Sequence, residues 1–356
     1  MKHYVPFLKM KQNEIGAICE LKKDIRDGIT PFFDIPRPKE NTLAEIAERL
    51  RIAKKQADMN LSGVTFYLDN FDIDDTISLD GRYQYETILD LFSAHHIIPV
   101  VGLNRDPRHN MAAIEFSNRT NKKIVLRLTA QDIESYRISK FEIDSIYSEL
   151  SKQNIDYVDV VFDFRVITTD PAVLGASALK FLTYLEADHF ANKIIIAGSS
   201  IPASVRDLLK TKEYTHIVRR ECWLWEYIKK NNTLSGRNLV FGDYGLVSPD
   251  YTDMELDFAM IQNIAAPKAF YTFQDSYFLV RGGAFKTHPD KYGQYFSIAD
   301  LIVGQKFFRP YTYSYGEKYI IDRCAKAKIK LKKAGSPGSW LKATLTTHIT
   351  FIYNSL

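Results

Sequence analysis

The chain has 356 residues, 46% of them hydrophobic and 25% charged, with a formal net charge of +4. That length carries one large core plus an appendage, and so mild a charge gives no general attraction to nucleic acid or membrane. Three cysteines, Cys19, Cys222 and Cys324, are odd in number and lack CxxC spacing, which argues against a disulfide framework or thiolate zinc site and fits a reducing cytoplasm.

The opening MKHYVPFLKMKQNE begins with a strand-like run, Tyr4–Lys9, and has no apolar core or cleavage site of a secretory leader. No apolar run approaches the roughly 18 residues that cross a bilayer, so the expectation is a soluble, cytoplasmic protein. Seven more β-branched and aromatic runs follow at intervals of about thirty residues: Ile29–Ile35, Val64–Asp69, Ile97–Leu103, Lys123–Thr129, Tyr157–Arg165, Lys193–Ser199 and Leu239–Tyr244. Amphipathic segments separate them. Asn41 or Thr42 can cap a helix bearing Leu43, Ile46, Ala47 and Leu50 on one stripe, and Asp170-Pro171 starts another with Leu174, Ala178, Phe181, Leu182 and Leu185 on one face. Pro202 opens a short helix containing Val205, Leu208 and Leu209. Thr215–Val218 reads as an extra strand, or Tyr214–Val218 as a full barrel strand that displaces the first or last run, and Trp223–Ile228 reads as helix. Alternating strands and helices specify parallel βαβ units. Eight of them match the ~250 residues of a (β/α)8 barrel. The predicted architecture is therefore a TIM-like α/β barrel over residues 1–265, with a C-terminal appendage over 266–356.

The appendage is aromatic: fifteen of the fifty residues from Phe270 to Tyr319 are Phe or Tyr. Ala269–Phe273 and Ser276–Val280 alternate as a hairpin turning at Gln274-Asp275. A helix is predicted over Tyr315–Leu331, with a basic side of Arg323, Lys326, Lys328, Lys330, Lys332 and Lys333. Such a side is ordinarily a solvated face, with a nucleic-acid or phosphate surface as the sharper alternative. Ser336–Trp340 reads as an exposed loop, and Thr344–Phe351, which includes His348, as a final strand.

A barrel places its chemistry at the carboxyl ends of its strands. Lys9, Asp34, Asp69, Arg127, Asp163 and Asp243 fall there. Strand parity sends Asp159, Val161, Asp163 and Arg165 to one face and Val158, Val160, Phe162 and Phe164 to the other, so Asp163 points inward and Arg127 needs it as a partner. Ser199, after Gly198, offers backbone N–H groups to a phosphate. Arg220 and Glu221 lie between the last two barrel strands, near where barrels hold phosphate. The expected roles are anion recognition by Lys9, Arg127, Ser199 and Arg220, flanked by Asp34 and Asp69, with acid–base work by Asp163, Glu221 and Asp243. Each has a plainer reading: Asp34 and Asp69 as helix caps, Arg127–Asp163 as core closure, an Arg220–Glu221 bridge as a tether. Carboxylates at strand ends also suit Mg²⁺, although their spacing specifies no site. HExxH, GxSxG and P-loop signatures are absent.

Tyr4-Val5-Pro6-Phe7-Leu8-Lys9 with Gln12-Asn13-Glu14, Ile29–Pro36, Arg219-Arg220-Glu221 with Trp223 and Trp225, Phe241–Gly245, Gly338-Ser339-Trp340 and Thr346–Ile349 together resemble the beta-protein family of phages, prophages and mobile elements. The resemblance implies a barrel-like fold and a place in phage-exclusion or defence cassettes, with a protein partner from the same cassette. It brings no catalytic residues. Two expectations follow from the whole: a defence component whose barrel mouth recognises a phosphate- or nucleotide-like ligand, or an acid–base or metal-assisted hydrolase or lyase acting on such a ligand.

Overall fold

The structure, a computed structural model, describes residues 2–37, 42–232, 238–250, 265–325, 327 and 333–356. Eight parallel strands close a barrel: Tyr4–Lys9, Phe32–Asp34, Thr65–Asp69, His96–Gly102, Lys123–Thr129, Tyr157–Val166, Lys193–Ser199 and Leu239–Asp243. We call them barrel strands one to eight. All eight predicted runs are in the wall, and the first pairs with the last, Tyr4 opposite Phe241 and Pro6 opposite Asp243. Helices between the strands carry the expected signals. Thr42 accepts from the Glu45 N–H at the start of Leu43–Asn60, and Asp170 caps Pro171–Asp188 with proline in its first turn.

Alternation along each strand sends one set of side chains into the barrel. Val5, Phe7, Phe32, Tyr67, Ile98, Val100, Val125, Val161, Ile195, Ala197, Val240 and Tyr244 form the inner core. Gly242 makes room for it, because a Cβ there would sit 3.0 Å from the Phe7 ring and 3.1 Å from the Val5 carbonyl. The other set, such as Phe33, Leu68, Leu126, Val160, Phe162 and Ile196, packs under the helices.

Outside the wall, Lys268–Phe273 and Ser276–Arg281 form the predicted hairpin, and Glu213–Val218 joins it as a third, antiparallel strand. The extra strand therefore belongs to the appended sheet. One face of the hairpin (Phe270, Tyr277, Leu279) packs on the barrel core. The other (Ala269, Tyr271, Phe278, Val280) forms a second core with Tyr295, Ile298, Ile320 and Trp340.

Four expectations need correction. Thr344–Phe351 is not a strand: helix Pro337–Ser355 runs through it, and Ser336–Trp340 is its capped start rather than an exposed loop. Every residue from Ala343 to Thr350 is buried, because the helix lies between helix Gln12–Cys19 on one side and the hairpin on the other. No polar stripe is left to show a helical period, and the threonines satisfy their own hydroxyls, Thr344 Oγ1 to the Trp340 carbonyl and Thr346 Oγ1 to that of Lys342. The helix predicted from Tyr315 ends at Ile321. Arg323 folds over the Tyr319 ring and bonds the Ala334 carbonyl, while Lys326, Lys328, Lys330, Leu331 and Lys332 lie outside the described residues. The short helix after Pro202 is a single 3-10 turn, Val205–Asp207.

Candidate functional site

The carboxyl end of the barrel is organised around Arg127, whose side chain is only 1% exposed. Its Nη1 donates to Asp34 Oδ1 at 2.7 Å and Asp69 Oδ2 at 2.8 Å. Nε and Nη2 both reach Asp163 Oδ2, at 3.0 and 2.7 Å, and Nη2 also reaches the Tyr244 hydroxyl at 2.9 Å. The guanidinium lies between two rings, 5.1 Å from the centroid of Phe32 and 4.2 Å from that of Phe71. Arg105 bonds Asp69 through both carboxylate oxygens. Lys9 bonds Asp72 at 2.5 Å and reaches Asp34 at 3.5 Å. Burial works to raise the Asp34 carboxyl's pKa, but Arg127 and then Lys9 outweigh it and hold it below its ordinary value. Strand parity thus brings five predicted residues together: Lys9, Asp34, Asp69, Arg127 and Asp163. Asp34 and Asp69 are ligands of an internal cation, not helix caps. Among the described residues no group of three or more His, Cys, Asp and Glu side chains is arranged to hold a metal ion.

Asp243 does not join them. Val240 and Tyr244 face inward, so Asp243 faces out through the wall, where a second buried network meets it. Tyr4 donates its hydroxyl to Asp243 Oδ1 at 2.6 Å, Arg219 Nη2 donates to Oδ2 at 2.7 Å, and His348 Nε2 lies 3.1 Å from both oxygens. Burial would raise the Asp243 pKa; His348, then Arg219 and the Tyr4 hydroxyl, push it well below the usual carboxylate range. The other His348 nitrogen meets Thr272 Oγ1 at 2.8 Å. Glu221 accepts from Arg219 Nε and the Tyr277 hydroxyl, both at 3.0 Å, and from Ser200 Oγ at 2.5 Å. This network fastens the hairpin and the C-terminal helix to the barrel.

The expected Arg220–Glu221 pairing is corrected as well. The buried partner of Glu221 is Arg219, while Arg220, at the start of helix Arg220–Asn231, is exposed and donates to the Thr168 carbonyl at 2.7 Å. One residue of register decides this: Arg219 is the last extended residue before the helix and turns back toward the wall. Ser199 is also used locally, its hydroxyl accepting from the Ile201 N–H at 3.1 Å.

A recess of about 530 Å³ opens between the barrel mouth and the appended section. Its walls come from the end of strand one (Lys9, Lys11), the start of helix Gln12–Cys19 (Asn13, Glu14), the loops after strands seven and eight (Ile201, Pro202, Val205, Leu246 to Ser248), Lys268 and Phe270 of the hairpin, and Pro337, Gly338 and Leu341 of the last helix. Helix Gln12–Cys19 has no side-chain cap at Lys11, and the Glu14 carboxylate accepts from its own backbone N–H in the first turn. Neither Lys11 nor Lys268 forms an ion pair among the described residues. Both side chains are exposed to solvent, and the protein around them lowers the pKa of each; a nearby Arg281 adds to the effect at Lys268, whereas Glu14 opposes it at Lys11. Glu14 is 3% exposed, and burial raises its carboxyl pKa against the pull of Lys11.

Sequence reasoning missed Lys11, Glu14 and Lys268. Lys11 and Glu14 stood just past a strand end, the signal used for Lys9, and could have been found by extending it one turn. Lys268 had no signal, since only tertiary packing brings the hairpin over the mouth.

The family model described as Beta protein matches residues 4–354, nearly the whole chain. No curated protein matches it.

Proposed function

The chain belongs to the Beta protein family, and from that premise we propose that it recognises a phosphate-bearing or nucleotide-like anion in the recess, as a component of a phage- or mobile-element-borne defence system. The observation that carries this reading is the pair Lys11 and Lys268, cations without ion-pair partners among the described residues, facing a cavity of about 530 Å³. The recess adjoins the loops after strands seven and eight, where barrels commonly hold phosphate. Its volume lies within the ~300–1,000 Å³ range of small-molecule sites. An anion there would meet two ammonium groups and the uncapped first turn of helix Gln12–Cys19. Arg127 supports this role indirectly: its charge is already matched by Asp34, Asp69 and Asp163, so it braces the mouth and leaves recognition to the lysines.

The second reading, acid–base catalysis on the same ligand, draws on Glu14. A buried carboxyl with a raised pKa beside an anion site has the character of a general acid.

Isothermal titration calorimetry with a panel of nucleotides and phosphorylated metabolites tests recognition. Lys11→Ala and Lys268→Ala are each expected to weaken a bound anion about tenfold, ~1.4 kcal/mol, with folding unchanged, and to reduce protection in cells challenged with phage. Binding that survives both substitutions would refute the assignment to this recess.

A further inference from the structure

Lys268 does not stand alone. It is directly opposite Arg281 across the open end of the hairpin. By strand alternation it shares the face of Phe270 and Thr272, and Arg281 shares that of Tyr277 and Leu279, the face packed toward the barrel. At that end the face changes from apolar to basic. Arg281 anchors itself by donating from Nη1 to the Leu209 carbonyl at 2.7 Å, within the segment that follows strand seven. The same segment carries Arg206, next to the recess-lining Val205, and Arg206 is exposed. Glu213 is in register with Arg281 on the third strand but forms no ion pair with it. Lys268 lines the recess, Arg281 lies opposite it on the hairpin, and Arg206 follows the lining residue Val205 in sequence; none of the three forms an ion pair with a carboxylate among the described residues. Burial and then Arg206 lower the pKa of Arg281, and burial and then Arg281 lower that of Lys268, the second cause in each case being a neighbouring like charge. Like charges crowded together are unfavourable unless a counter-charge joins them.

We propose that the ligand is a polyphosphorylated small molecule, with one phosphate inside the recess at Lys11 and a second on the outer lip formed by Lys268, Arg281 and Arg206. This rests on the reading of the recess as an anion site and narrows its ligand class. A single phosphate satisfies one end of the basic track. A chain of two or three phosphates brings a charge to each group of cations. The bidentate donors of the arginines suit terminal phosphate oxygens, whereas the lysines act as point charges.

The test uses inorganic orthophosphate, pyrophosphate and tripolyphosphate as probes, titrated into the full chain at constant ionic strength. Tripolyphosphate is expected to bind at least about tenfold more tightly than orthophosphate. Arg206→Ala, at an exposed site, should remove most of that advantage, leave orthophosphate affinity within about twofold and keep the wild-type melting temperature, whereas Lys268→Met should weaken orthophosphate as well. Lys11→Ala should weaken all three probes. Equal affinity for orthophosphate and tripolyphosphate, or an advantage that persists in Arg206→Ala, would overturn this proposal and leave the anion site standing. No binding of any probe would overturn both.

Discussion

Arg127 shows how much depends on one side chain. A guanidinium held by three carboxylates and a phenol hydroxyl, with its side chain 1% exposed, is costly to desolvate. Removing it is costlier still, because Asp34, Asp69 and Asp163 would remain buried without their counter-charge. Arg127→Met is therefore expected to lower unfolding free energy by at least about 3–5 kcal/mol, measured by urea denaturation. A variant as stable as the wild type would mean that other groups neutralise the three carboxylates. The same network shows why the sequence could assign a position without assigning a job. Parity placed Arg127 and Asp163 on inward faces correctly, but whether an inward arginine waits for a ligand or satisfies its neighbours depends on which other strands deliver carboxylates to the same height.

At the scale of elements, the C-terminal helix is the informative case. Its capping box at Ser336 and Ser339, with Pro337 in the first turn, is a local start signal that outweighs the β-branched run behind it. The helix also forces close backbone contact with helix Tyr315–Ile321: a Cβ at Gly316 would lie 1.9 Å from Thr347 Oγ1 and 2.1 Å from the Ala343 carbonyl oxygen. Backbone cannot yield as a flexible side chain can. Gly316→Ala should accordingly destabilise the protein by roughly 2–3 kcal/mol or more, as overpacking at a rigid contact does, although alanine raises helix propensity at an exposed site. A thermal shift that left the melting temperature unchanged would show that the two helices separate at no cost.

The whole molecule is joined by strand eight. Asp243 faces outward to Arg219 and His348, Tyr244 faces inward to Arg127 and Asp163, and Leu246, Val247 and Ser248 continue into the recess wall. The outer contacts make the attachment of the appended section pH-dependent. Asp243 and Asp34 have folded-state pKa values below the unfolded reference of about 3.9. Their contribution to stability is complete above that reference and is lost as pH falls through the lower folded values. Glu14, Asp72 and Asp159, raised by burial, act with the opposite sign and favour the folded state as pH falls. Stability measured from pH 7 to 3 should therefore drop most below about pH 4. Asp243→Asn should be less stable at neutral pH and fall less steeply in acid. Parallel profiles for the two proteins would remove Asp243 from the acid response.

By itself the sequence determined the barrel. Eight runs with period-two alternation, each followed by a helical stripe with its cap, leave little freedom once right-handed βαβ connections are required. It also determined which residues of strands five and six face inward, because polar Asp163 and Arg127 alternate with unbroken apolar neighbours. What only the tertiary structure decided are the matters that depend on distance between remote segments. Asp243 turned outward because strand eight offers Val240 and Tyr244 to the core, a choice that five short residues do not announce. Arg219 rather than Arg220 met Glu221 because the helix begins one residue later than the charge pair does. The last helix formed where β-branched residues predominate because burial on both sides erased the amphipathic period and tertiary packing outweighs intrinsic propensity. The recess exists for the same reason. Its lysines come from the first strand's end and from the hairpin, 257 residues apart (Lys11 to Lys268), and no local pattern encodes a juxtaposition made by folding one layer over another.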